Sequence, residues 1–294
     1  VISILIPFYN EKENIPLLLE RLLPVLKDTG KEYEVILVDD GSTDGSGKDI
    51  EKPAHVKILR HRRQMGKGAA LSTAFQESKG DTIFFMDADL EDEPEEIPHF
   101  LKKIDDGYEL VNGMRKNRQH SGLIKIYSGL ANTFIRSFLR SPFRDVNCGF
   151  KAMKRSVLET IPMYGNNFRF MPLAAFYEGF KVTEIEVSHK NRMYGQSKFG
   201  ASKVFIGFID TITAYFIYRF SERPLHFFGI LGAVASSIGA VILIWLGVER
   251  IIFSHEIYRR PILFLGMLLL IIGVQIAATG LLGELMVYLK RKKV

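Results

Sequence analysis

The sequence predicts an α/β domain on a mostly parallel sheet, followed by two membrane-spanning helices joined as a hairpin. Three observations carry this. Short apolar runs alternate with segments of helical apolar spacing up to about Arg115. Acids and turn formers close several of the apolar runs. Charges are dense up to about Arg223, after which Phe227–Val248 and Ile262–Gly283 contain none. Strands alternating with helices indicate a parallel sheet covered on both faces. Each charge-free run exceeds the roughly 20 residues that cross a ~30 Å hydrocarbon core.

The elements follow in order. Val1–Pro7 (VISILIP) reads as a strand and Ile15–Leu26 as a helix, by its apolar spacing. Tyr33–Asp39 (YEVILVD) is a second strand, and His55–Arg60 a short third. Gly68–Ser78 is a helix, Thr82–Asp87 a buried strand, Pro94–Ile104 a helix and Tyr108–Gly113 another strand. Leu123–Leu139 is amphipathic, and Val204–Phe220 is more apolar, interrupted by Asp210 and Arg219. Both segments, about 118–140 and 201–222, fit helices lying in the headgroup plane, or helices packed on the sheet. The domain is thus expected over 1–225, the membrane helices over 226–289 (spans about 227–248 and 262–283), and a basic tail over 290–294.

The hairpin's short connection, Glu249–Arg260, places both outer ends on one side of the membrane. Its three arginines face four basic residues in the tail, Lys290–Lys293, a narrow bias toward a cytoplasmic tail. The sequence opens directly in a strand, with no leader pattern, so the N-terminal domain and the tail are expected on the cytoplasmic face. The net charge of +6 suits an anionic leaflet, and the basic residues form no long run that would suggest nucleic acid. The single cysteine, Cys148, excludes a disulfide within the chain and a cysteine-based zinc site. Gln275 and Glu284 fit helix–helix or subunit contacts, so a homo-oligomer is allowed; so is a monomer whose Glu284 reaches the interface.

In parallel sheets the ligand sits beyond the carboxyl ends of the strands. Those ends carry Asn10-Glu11, Asp39-Asp40-Gly41-Ser42 and Asp87-Ala88-Asp89, acceptors distant in sequence that converge on one edge. A carboxylate at Asp39 or Asp40 fits a base or ribose, or else an Asx-rich turn capping the next helix. Asp87 and Asp89 end an all-apolar strand and can reach one hard cation, Mg²⁺ or Mn²⁺, alongside substrate phosphates. Asp92, Glu93, Glu95 and Glu96 are read as favourable charges at the start of the Pro94 helix, outside the site. Gly66-Lys67-Gly68 opens a helix after a strand, suited to phosphate or to an ordinary turn; no Walker pattern is present. His189–Phe199 is a cationic, glycine-containing loop in which Arg192, Ser197 and Lys198 offer donors to an anionic headgroup, or simply attract anionic lipid.

In this order, "PFYNE" (Pro7–Glu11), "VDDGSTDG" (Val38–Gly45), "GKGAAL" (Gly66–Leu71), "DADL" (Asp87–Leu90), "CGFKAMKR" (Cys148–Arg155) and "RMYGQSKFG" (Arg192–Gly200) resemble the family 2 polyprenyl-phosphate glycosyltransferases. Dolichyl-phosphate mannose synthase and bacterial undecaprenyl-phosphate sugar transferases belong to that group. The resemblance covers about Val1 to Phe228 and implies a GT-A-type, Rossmann-like nucleotide-sugar domain with inversion at the anomeric carbon. It implies that Pro7, Tyr9, Glu11 and Asp40 hold base and ribose, with Asp39, Lys67 and Ala88 in the same donor site. It places Asp87 and Asp89 on metal and pyrophosphate, with Glu91 where the mannose synthases carry a metal-binding glutamine. It puts Arg115 on the lipid phosphate, joined by Lys125 and Ser128, and has Arg192, Ser197 and Lys198 close over donor phosphates and acceptor.

The expected partners are therefore a UDP- or GDP-linked sugar, an undecaprenyl or dolichyl phosphate and membrane lipids. A phosphate monoester, with a second pKa near ~6, is already largely ionised at neutral pH, so no strong general base is required. The Gln-x-x-Arg-Trp motif of processive polysaccharide synthases is absent: Trp245 is the only tryptophan and lies in the first apolar run. A transferase to another lipid-linked or cell-envelope acceptor and a non-catalytic nucleotide-binding scaffold are the other readings.

Overall fold

The structure, a computed structural model, describes residues 1–47, 53–116, 142–163, 165, 167–189, 213, 216, 217, 220, 223–253 and 261–291. The chain divides into two units, Val1–Ala214 and Tyr215–Val294. The expected interfacial stretches 118–140 and 201–222 lie almost wholly outside the described residues, as does most of the basic tail.

The first unit is organised by a seven-stranded sheet. Its strands are β1 (Ile2–Phe8), β2 (Tyr33–Asp39), β3 (Val56–Arg60), β4 (Thr82–Phe85), β5 (Leu110–Arg115), β6 (Lys151–Lys154) and β7 (Val182–Val187). The spatial order is β3-β2-β1-β4-β6-β5-β7. All neighbours pair in parallel except β6, which runs against both β4 and β5. The carboxyl ends of β1 to β5 and β7, and the amino end of β6, therefore share one edge. Among the described residues, the helices of this unit are α1 (Asn14–Asp28), α2 (Lys67–Glu77), α3 (Ile97–Asp105), α4 (Arg155–Thr160) and α5 (Met171–Tyr177).

The apolar spacing seen in the sequence is what packs these layers. β1 is buried at all positions, as expected of a central parallel strand. α1 buries Ile15, Leu18, Leu22 and Leu26 along one stripe, and α3 buries Ile97, Phe100, Leu101 and Ile104. Phe100 meets Phe84 edge-on at 5.8 Å and Phe150 at 4.5 Å, joining α3 to the middle of the sheet. Each such ring contributes about 1.5–3 kcal/mol by leaving water.

Element boundaries differ from the sequence expectation in instructive places. The strand expected to reach Asp87 ends at Phe85, because the Asp87 amide turns to the Asp92 carboxylate at 3.3 Å. The helix expected from Pro94 opens as a 3₁₀ turn, Pro94–Glu96, before α3. β6 and β7 are not marked by apolar runs: β6 buries Lys151, and β7 carries Glu184 and Glu186.

The second unit contains α6 (Pro224–Ile252) and α7 (Pro261–Arg291). Both are long and apolar enough to cross a membrane. Their contact uses glycines seven residues apart, Gly232 and Gly239 against Gly266 and Gly273, the small-residue packing typical of membrane helices. A methyl group on Gly239 would stand 2.7 Å from the Gly266 carbonyl oxygen. Glu284 of α7 accepts the Leu225 amide at 3.3 Å, in the first turn of α6, where carboxylates are favourable.

Candidate active site

The shared strand edge gathers the expected donor residues. After β1, Pro7 is buried and Tyr9 and Glu11 are half-buried. Asn10 takes the left-handed region at φ 58°, which asparagine tolerates. Its amide donates to Ser42 Oγ at 2.9 Å, and its Oδ1 accepts the Thr43 amide at 2.9 Å. The β1 and β2 loops are thereby one structure. Glu11 accepts Asn14 Nδ2 at 2.6 Å at the start of α1.

Asp39 and Asp40 are both buried, with different duties. Asp39 Oδ1 accepts the Ser42 amide at 2.7 Å, and Arg60 Nε stands 3.3 Å from Oδ2. Asp40 accepts the Met65 and Gly66 amides, each at 2.8 Å, and its Oδ1 lies 2.8 Å from His61 Nδ1. His61 Nε2 in turn lies 3.0 Å from Thr73 Oγ1 on α2. Three of the roughly four acceptor positions of the Asp40 carboxylate thus hold the turn into α2. That turn borders a cavity of about 430 Å³, lined in part by Gly66, Lys67, Gly68, Ser72 and Met163.

Lys67 pairs with Asp87 and lies 5.2 Å from the Phe168 ring centroid. Burial acts to raise the Asp87 pKa, but Lys67, with Lys151 and Arg115 behind it, outweighs burial and holds the carboxyl below its ordinary value. Gly149 lies so close that an added methyl would stand 2.8 Å from Asp87 Oδ2, so only glycine fits there without a shift. Ala88 is buried, Asp89 is half-buried, and Asp89 Oδ1 accepts the Glu91 amide at 3.3 Å. Leu90 is buried in the left-handed region at φ 61°, a strained conformation for a bulky side chain.

Asp92 departs from its sequence reading. It does not decorate a helix end: it is 4 % exposed and lies behind Asp87 and Asp89. Burial, then repulsion from Asp87 and Asp89, pushes its carboxyl up to about 7. Its three companions make other contacts. Glu93 and Glu95 lie 3.5 and 2.6 Å from Arg21 Nη2, and Glu96 accepts the Ser188 amide at 3.1 Å. His189, following β7, approaches Glu91 at 3.4 Å through Nε2 and Asp92 at 4.0 Å through Nδ1.

The donor set suits a hard divalent cation. Among the described residues no group of three or more histidine, cysteine, aspartate or glutamate side chains could hold a metal by itself. One or two carboxylates completed by substrate phosphates are nevertheless a common magnesium arrangement. Asp87, Asp89 and the buried Asp92 gather negative charge at this edge, which a cation there would offset.

Arg115, at the end of β5, forms a two-point fork with Asp145: Nε to Oδ2 at 2.7 Å and Nη2 to Oδ1 at 2.9 Å. Burial disfavours its charge, yet the hydrogen bonds and charge of Asp145 raise its pKa further above the usual arginine value. Lys151 enters the same edge from β6, donating to the carbonyls of Val146 (3.3 Å) and Cys148. Burial lowers its pKa to about 8. Lys125, Ser128, Arg192, Ser197 and Lys198 lie outside the described residues. The sequence reading set Asp92 outside the site, carried Lys151 only within the Cys148–Arg155 motif, and did not anticipate the contact of Asp145 with Arg115, which no spacing exposes.

Comparison with known proteins gives a consistent picture. The family model described as glycosyl transferase family 2 matches residues 3–162. An undecaprenyl-phosphate 4-deoxy-4-formamido-L-arabinose transferase of Photorhabdus laumondii is 35% identical over 289 residues, covering 96% of this chain and 87% of that protein. A dodecaprenyl-phosphate galacturonate synthase of Rhizobium johnstonii is 31% identical over 293 residues, 97% of this chain and 87% of the relative. Among solved structures, the glucosyl-3-phosphoglycerate synthase of Mycobacterium tuberculosis, in complex with Mn²⁺ and UDP-glucose, shares the fold. Its TM-score is 0.57 at 18% identity, covering 73% of this chain and 78% of that one.

Proposed function

The chain belongs to glycosyl transferase family 2, and on that premise we propose that it moves a sugar, with inversion, from a nucleotide sugar to a membrane polyprenyl phosphate. The observation that carries this reading is the match along 96% of the chain, both apolar helices included, to relatives named for polyprenyl-phosphate chemistry. The domain up to about residue 225 acts on the cytoplasmic face, and the hairpin anchors it.

The donor's base and ribose lie over the β1 and β2 loops, near Pro7, Tyr9, Glu11, Asp39 and Asp40. Its diphosphate lies near Lys67 and Asp87–Asp89. Asp87 and Asp89, with Glu91, would hold Mg²⁺ or Mn²⁺, which neutralises charge on the departing diphosphate. Arg115, with Lys125, Ser128, Arg192, Ser197 and Lys198, binds the acceptor phosphate or closes over it. A phosphate oxygen of the acceptor attacks the anomeric carbon. A carbon–oxygen bond forms to the acceptor, and the bond to the β-phosphate oxygen breaks. The nucleoside diphosphate leaves with the electron pair. No proton need be removed, because the acceptor is already ionised at neutral pH.

The test is a donor screen with the full chain in bilayers containing undecaprenyl phosphate and Mn²⁺ or Mg²⁺. Separate UDP- and GDP-sugars are supplied and new lipids are read by mass. One glycosyl-phosphate lipid is expected, absent in Asp87→Ala. No product from any donor, with nucleotide still bound, favours another acceptor or a non-catalytic scaffold.

A further inference from the structure

A buried polar network beside the site is not used by the reading above. Asn112 on β5 is fully buried, and its register partner on β7 is Glu184. Glu184 reaches over the chain that returns to the sheet before β6. Its Oε2 accepts the Arg144 amide at 2.7 Å, and its Oε1 accepts the Asp145 amide at 3.0 Å. Asn112 Nδ2 donates to the Asp145 carbonyl at 2.9 Å and to Glu184 Oε1 at 3.2 Å. The backbone of Asp145 is therefore gripped at both its own N–H and its own carbonyl.

The consequence falls on Arg115. Its guanidinium is oriented by the fork to Asp145, and that carboxylate is placed by the gripped backbone. The fork engages two of the five guanidinium N–H groups, so the direction of the guanidinium is set by Asp145. Glutamate is well suited to this grip because both carboxylate oxygens accept. Glutamine keeps the shape but replaces one acceptor with a donor, which would face a backbone amide.

We propose that Glu184, with Asn112, is a positioning residue for acceptor-phosphate binding, acting through Asp145 on Arg115. This rests on the reading of Arg115 as a ligand of the lipid phosphate.

The test measures separate KM values for undecaprenyl phosphate and for the nucleotide sugar, with the full chain in bilayers. Glu184→Gln is expected to raise the acceptor KM about tenfold, equivalent to ~1.4 kcal/mol, and to change the donor KM less than about twofold. In an Arg115→Lys background the same substitution should add less than about twofold, because both act on one contact. Glu186→Gln, on the same strand but exposed, should behave as wild type. Where Glu184→Gln fails to fold, Asp145→Asn keeps the backbone grip, weakens the fork and must raise the acceptor KM likewise. Equal losses for donor and acceptor, or additive effects with Arg115→Lys, would overturn the proposal. A wild type that forms product from a different acceptor alone overturns the acceptor reading, and this proposal with it.

Discussion

Asp87 is shared between two cations in this account: the ammonium of Lys67, which the structure places on it, and the divalent ion that the donor would bring. Both partners of the pair are about one-third exposed, so the ion pair is worth ~1 kcal/mol or less. Lys67→Met should then tighten Mn²⁺ binding in the absence of donor by up to about fivefold, read by direct titration. It should weaken nucleotide-sugar binding, since the same ammonium faces the diphosphate. A metal affinity that falls would show that Lys67 organises the carboxylates rather than competing for them. At this scale the sequence was informative where a motif was local. Asp87 and Asp89 stand out because acids abruptly follow an apolar strand. Asp92 does not, because its role depends on a fold-back that brings its carboxylate to the Asp87 amide. The fork of Arg115 to Asp145 joins residues thirty apart, a contact that no spacing rule exposes.

β6 shows how an element can hide. A central strand carrying a buried lysine has no apolar run to announce it, and its antiparallel direction breaks the alternation that revealed β1 to β4. Lys151 gives it a pH signature. Burial lowers its pKa to about 8 from an ordinary 10.5. Above 10.5 the amine is neutral in both states; as pH falls from 10.5 toward 8 the unfolded chain takes up a proton that the buried amine does not, so stability is lost across that window, by about 3 kcal/mol, and the loss stops below 8, where both states are protonated. The unfolding midpoint of wild type should rise relative to that of Lys151→Met between pH 8 and 10, and a constant difference would contradict this. In the hairpin, Gly239→Leu should lower the thermal stability of α6 and α7, read by circular dichroism in detergent. Overpacking of this kind costs about 1–3 kcal/mol, because the new side chain meets the Gly266 backbone. The two spans were plain from composition; their seven-residue glycine register emerges only when the helices are paired.

For the whole molecule, the strand order matters more than any single element. Placing β4 beside β1 and β6 beside β4 brings the carboxylates after three strands, Lys151 and Arg115 to one edge. A diphosphate-bearing donor and a second phosphate both suit an edge of alternating sign. In this reading the acceptor phosphate is the nucleophile. The measurement that tests this most directly compares undecaprenyl phosphate with undecaprenol in otherwise identical bilayers, with the active nucleotide sugar and a divalent ion, reading glycosylated lipid by mass. Product is expected from the phosphate alone. Equal product from the alcohol, or donor breakdown with no sugar on either lipid, would contradict it.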